Sequence, residues 1–64
     1  MFSLQVGQIV HVKQNRYSEN EPNKCQVAEI IKVDGYMANT CRVIFLNNNS
    51  TCEIDKGRIL EMYL

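Results

Sequence analysis

The chain of 64 residues has no tryptophan, one proline, three glycines and a single histidine, His11. Its rings number three tyrosines and two phenylalanines, so a surface of stacked aromatics has little to draw on. One histidine and scattered carboxylates form no acid–base pair or activated nucleophile, and no enzymatic activity is expected. Cys25, Cys41 and Cys52 are odd in number and contain no C-x-x-C, which argues against a disulfide framework or a zinc knuckle. They are expected to be small buried hydrophobes in a reducing compartment. A metal site joining them to His11 has no local spacing behind it, so no metal or cofactor is expected. Neither sign of charge is in excess: seven Lys and Arg stand against seven Asp and Glu. No overall field therefore draws the chain to phosphate backbones or anionic lipid, and little opposes self-association, so a homo-oligomer is a secondary expectation. Long apolar runs are missing too. The opening Met1-Phe2-Ser3-Leu4-Gln5 lacks a basic start and an apolar stretch, so no signal peptide or membrane span is expected and the chain reads as intracellular, cytoplasmic or nuclear.

What remains is a series of short apolar runs with a two-residue period. In Gln8 to Lys13, Val10 and Val12 share one face while Ile9, His11 and Lys13 share the other. Cys25 to Val33 reads as a second strand with Ala28 and Ile30 inward, and the adjacent Ile30-Ile31 pair predicts a bulge or a switch of face before Val33. A helix over Gln26 to Lys32 competes, but β-branched residues and the Asp34-Gly35 stop favour the strand. Thr40 to Leu46 is the strongest strand, with Cys41, Val43 and Phe45 on one side. Thr51 to Ile54 is a short fourth strand, reached through a turn over Asn47, Asn48, Asn49 and Ser50, whose asparagines accept left-handed backbone geometry. A single helical turn over Asp55 to Leu60 then leads to a final strand, Glu61 to Leu64.

One domain of this length buries only roughly 60% of its unfolded surface, so marginal stability is expected. Strands without intervening helices can hide one hydrophobic face only by curling into a small barrel. Such a barrel has no room for an internal site, and function must lie on loops or an outer face. The polar segment Gln14 to Lys24, interrupted by Pro22, is a long exposed loop and the first functional candidate.

Val6-Gly7-Gln8 resembles the opening V-G-D of the Tudor group of SH3-like barrels, which includes Agenet and chromo-like relatives. Ala28-Glu29-Ile30 is similar to that group's A-x-I second strand, and Thr40-Cys41-Arg42-Val43-Ile44-Phe45 to its third strand ending in an aromatic. Glu53-Ile54-Asp55 with Ile59-Leu60 resembles the closing strand and short helical turn. The resemblance covers about residues 5 to 62 and implies an all-β, five-stranded SH3-like barrel with a short 3-10 turn before the last strand. It also implies an aromatic cage for a methylated lysine or arginine, and at the matching places this chain carries Gln14, Gln26, Asn48 and Ser50. Phe45 is the one matched ring, in phase with Cys41 and Val43 and so expected in the core. Tyr17 could add a second ring, and Tyr36 falls at the opposite end. Small plasmid-type dihydrofolate reductase, a tetramer of related barrels, has V-Q-I-Y where this chain has Cys52-Glu53-Ile54-Asp55.

These readings converge on a non-enzymatic adaptor module that engages a partner protein through loop 15–24, the turn 47–50 or an edge strand. The residues expected to carry it are Arg16, Tyr17, Glu19, Lys24, Phe45, Asn47, Asn48 and Asn49. The alternative is a nucleic-acid-binding barrel using Lys13, Arg16, Lys24, Lys32 and Arg42 with Tyr17, against which Glu19, Glu21 and Glu29 are interleaved.

Overall fold

Alternation along the chain is realised as five antiparallel strands in a single sheet. In the computed structural model, residues 3–60 are described. The strands are β1 (Ile9–Val12), β2 (Gln26–Lys32), β3 (Thr40–Phe45), β4 (Thr51–Asp55) and β5 (Ile59–Leu60). Their order across the sheet is β4-β3-β2-β1-β5. Sequence neighbours pair from β1 to β4, and β5 returns to the far side of β1 with His11 opposite Leu60 and Val12 opposite Ile59. The sheet is open, since no ladder joins β4 to β5 among the described residues.

The apolar alternation places one core on the inner face. It consists of Val10, Val12, Ala28, Ile30, Cys41, Val43, Phe45, Ile54 and Ile59, contributed by all five strands, with Leu4 and Val33 packed against it. Burying an aliphatic side chain of this size stabilises by about 1.5–3 kcal/mol relative to exposure, so these few residues hold the sheet in its curl. The bulge expected at Ile30-Ile31 is present as a register shift between Ile30 and Lys32. It turns Ile31 outward while letting Ile30 keep its inward place.

Turn chemistry follows the sequence closely. Gly7 has φ +91°, a left-handed conformation in which a side chain would be strained, and its N–H bonds the Ile30 carbonyl at 2.8 Å. Asn49 adopts φ +58° in the β3–β4 turn, and Asn39 adopts φ +60° before β3. The helical turn is shorter than expected: a 3-10 turn covers Lys56–Arg58, and Ile59 and Leu60 already belong to β5. Asp55 caps this turn by accepting from the Gly57 N–H at 2.6 Å, which lets the chain reverse within three residues and rejoin β1. The expected final strand over Glu61 to Leu64 lies outside the described residues.

Two of the three cysteines differ from the expected burial. Cys41 is buried, Cys25 is half-buried and Cys52 is exposed, all three as free thiols. Cys52 stands opposite buried Val43 and therefore on the inner face, but β4 is an edge strand whose first residues extend past the core. Burial pushes the Cys41 thiol up, partly offset by the charge of Lys56, so it stays protonated. Among the described residues no helix is long and apolar enough to cross a membrane.

Candidate functional site

The segment between β1 and β2 is a folded structure in its own right. Asn15 begins it with an Asx turn: its Oδ1 accepts from the Tyr17 N–H at 2.9 Å, and its N–H donates to the Ser18 Oγ at 3.2 Å. Pro22 opens a 3-10 turn over Pro22–Lys24, a position where its missing N–H costs nothing, and the Cys25 N–H closes the turn onto the Pro22 carbonyl at 3.1 Å.

Lys13 organises the segment from beneath. Alternation placed it on the outer face with Ile9 and His11, available to a ligand. Instead it is only 8% exposed. Its Nζ donates to the Arg16 carbonyl at 3.3 Å, the Ser18 carbonyl at 3.1 Å and Asn20 Oδ1 at 3.2 Å. Three donors meet three acceptors, so the ammonium is satisfied and the loop oxygens converge on it. The Lys13 backbone is fixed as well, its N–H on the Arg58 carbonyl at 2.7 Å and its carbonyl accepting from Arg58 Nε at 2.9 Å.

The expected contact residues are distributed over this scaffold. Arg16 reaches the capping residue Asp55, Nη1 to Oδ2 at 3.2 Å, and ties the loop to the turn before β5. Its guanidinium also lies 5.7 Å from the centre of the Tyr17 ring, which projects from the loop at 88% exposure. Lys24 pairs with Glu21 at 3.1 Å. Glu19 joins Lys13, Gln14, Ser18, Glu21, Lys24 and Cys25 in lining a hollow of about 250 Å³. That hollow is open and smaller than the clefts that enclose drug-sized ligands.

The β3–β4 turn lies at the same end of the sheet, next to the start of β2, where the Leu46 N–H bonds the Val27 carbonyl at 3.1 Å. Asn48 Oδ1 accepts from the Ser50 N–H at 3.0 Å and from its Oγ at 2.7 Å, and the Asn49 N–H bonds the Phe45 carbonyl at 2.8 Å. Asn48 and Asn49 thus build the turn, while Asn47 is exposed at its surface. Phe45 is a core residue, so it offers no contact surface and no cage wall beside Tyr17.

At the opposite end, the loop between β2 and β3 is held by a carboxylate. Glu53 Oε1 accepts from the Tyr36 N–H at 3.1 Å, and Oε2 accepts from the Met37 N–H at 3.1 Å. The Thr40 hydroxyl sits 3.0 Å from Oε2 and 2.7 Å from the Met37 carbonyl. The Tyr36 N–H holds the Glu53 carboxyl below the usual range. Desolvation works against this, while the Met37 N–H, the Thr40 hydroxyl and the Arg42 charge work with it. Gly35 makes room for the clasp, since a Cβ there would meet Glu53 Cδ at 2.7 Å. Neither this anion nor the Lys13 cation carries a sequence motif. Asp55 alone had a visible signal, the Asp-x-Gly spacing of a capped turn. Comparison of the chain with protein-family models, with curated proteins and with solved structures returned no match.

Proposed function

We propose that this chain is a small SH3-like barrel of Tudor type that serves as a non-enzymatic binding module, engaging a partner protein through the loop from Asn15 to Lys24. The barrel reading draws support from the strand order β4-β3-β2-β1-β5, the 3-10 turn before β5 and the single core supplied by both edge strands. The carrying observation for function is the Lys13 ammonium beneath a loop whose tip exposes Tyr17. The buried cation gathers the loop's oxygens and so holds its tip in one arrangement. A loop ordered before it meets a partner avoids the entropy cost of being ordered on binding. Tyrosine is suited to the tip because its rigid ring gives a large contact with few rotatable bonds, and its hydroxyl keeps it wettable when free. Arg16 and Glu19 flank it with both charge signs, which suits a mixed polar protein surface better than a uniformly charged polymer.

The test is site-specific crosslinking. A photoreactive residue at position 17 is expected to give one discrete protein adduct in lysate of the source cells, unaffected by nuclease and lost when Arg16 and Glu19 are changed to Ala. The same residue at position 37, at the opposite end, is expected to give no such adduct. Equal labelling from both positions, or adducts indifferent to the Arg16 and Glu19 changes, would remove the loop from the binding surface.

A further inference from the structure

The seven basic side chains fall into two groups. Arg16, Lys24 and Lys56 are in ion pairs with Asp55, Glu21 and Asp34, Lys13 is enclosed by loop oxygens, and Arg58 donates to the Lys13 carbonyl. Lys32 and Arg42 have neither an ion-pair nor a hydrogen-bond partner among the described residues. These two face each other directly across the β2–β3 ladder, just past the bulge. Like charges at opposed positions destabilise a sheet, and Glu53, opposite Arg42 on the β3–β4 side, offsets part of this from beyond ion-pair distance while its oxygens bond the Tyr36 and Met37 amides. What lies over them is the Tyr36 ring, with Lys32 Nζ 5.4 Å and Arg42 Cζ 5.8 Å from its centre.

The ring rises from an anchored backbone. Tyr36 is 81% exposed, yet its backbone and that of Met37 are clasped by Glu53, whose two oxygens are directed into the loop. Asp34, the other nearby acid, is paired with Lys56 at 3.0 Å. Arg42 Nε is enclosed without an acceptor, so no competing bond holds the guanidinium in place. A ligand with a flat π face and an anion on either side would stack on Tyr36 and turn the repulsion between Lys32 and Arg42 into two attractions.

We infer that Lys32, Tyr36 and Arg42 form a site for single-stranded nucleic acid, one base stacking on Tyr36 while adjacent phosphates meet the two cations. A duplex does not fit this chemistry, because its bases are already stacked and withhold their faces. An acidic peptide would use the cations but leave the exposed ring without a role. The site is independent of the loop reading above and lies at the other end of the sheet. Of the basic residues expected to bind nucleic acid, Lys13, Arg16, Lys24, Lys32 and Arg42 with Tyr17, the site keeps Lys32 and Arg42 and replaces Tyr17 by Tyr36, since Lys13, Arg16 and Lys24 are already committed to partners.

The experiment is fluorescence anisotropy with labelled dT and U decamers at low salt, each arm reporting on one sugar. Both decamers, or one of them, are expected to bind, with log K falling against log salt at a slope of about −1.4 for two phosphates on a single strand. Tyr36→Ala is expected to weaken binding about tenfold, Tyr36→Phe to retain it, and Lys32→Gln to lower the slope by about 0.7. Tyr17→Ala is expected to leave binding unchanged. Circular dichroism checks that each variant stays folded, as the exposure of Tyr36 leads us to expect. Absence of binding to both decamers at low salt, equal affinity for duplex, displacement by a glutamate decamer at matched charge, or indifference to Tyr36→Ala would overturn the assignment.

Discussion

The two ends of this sheet solve one problem with opposite charges. At the first, the Lys13 cation collects oxygens from the loop that directly follows it in sequence. At the second, the Glu53 anion collects N–H groups from a loop 16 and 17 residues earlier in the chain. Loop backbone carries donors and acceptors that no ladder satisfies, and one ion of either sign can gather several of them. The sign decides which groups are gathered and which remain outside. The first loop turns its oxygens inward and leaves Tyr17 beside Arg16, which is already paired with Asp55. The second turns its N–H groups inward and leaves Tyr36 above two cations that have no ion-pair partner among the described residues.

If the two ends are separate devices, each should break without the other. The largest effect is expected for Lys13→Met, which removes three charge-assisted bonds at once: a loss of about 2 kcal/mol in denaturant unfolding. Amide exchange at Tyr17 and Ser18 should rise while Tyr36 and Met37 stay protected. Comparable loosening at both ends would show a single cooperative unit.

Glu53→Gln should do the reverse, exposing the Tyr36 and Met37 amides and sparing Ser18. Its pH dependence is signed. A carboxyl held below its ordinary value stabilises the fold above its unfolded pKa of about 4.3, and that contribution is lost as pH falls through the lower folded value. The unfolding midpoints of wild type and Glu53→Gln are therefore expected to differ at neutral pH and to converge in acid. Persistence of the difference in acid would mean that the charge is not what holds the loop.

The smallest effect is expected for Arg16→Ala. Its pair with Asp55 is about half exposed at the arginine, so about 0.5 kcal/mol or less is at stake, fading at high salt. A larger, salt-insensitive loss would mean that the first loop depends on Arg16 as well as on Lys13.

Strands and turns were legible in the sequence because each follows a local rule. Val10 and Val12, Ala28 and Ile30, and Cys41, Val43 and Phe45 alternate with outward residues, and the Ile30-Ile31 doublet marked the bulge. Lys13 departs from the alternation because β1 ends at Val12 and the pleat no longer dictates direction beyond it. Cys52 is exposed although in phase with Ile54, because phase gives the face of a strand but not whether the core reaches that far along it. The cluster of Lys32, Tyr36 and Arg42 depends on cross-strand register, which a bulge marked in one strand alone does not supply, because the partner residue on β3 has no local signal.

The strand order also carries a kinetic consequence. Each of the pairs β1–β2, β2–β3 and β3–β4 joins elements adjacent in sequence and closes only a short or moderate loop. The β1–β5 pair spans nearly the whole described chain, through two opposed residues on each side and the mutual bonds of Lys13 and Arg58. Closure entropy grows with the length enclosed, so the three hairpins have a natural precedence and β5 arrives last, onto a β1 already positioned by its neighbour. The residue that holds the first loop in place thus also forms part of the latch on which assembly is completed.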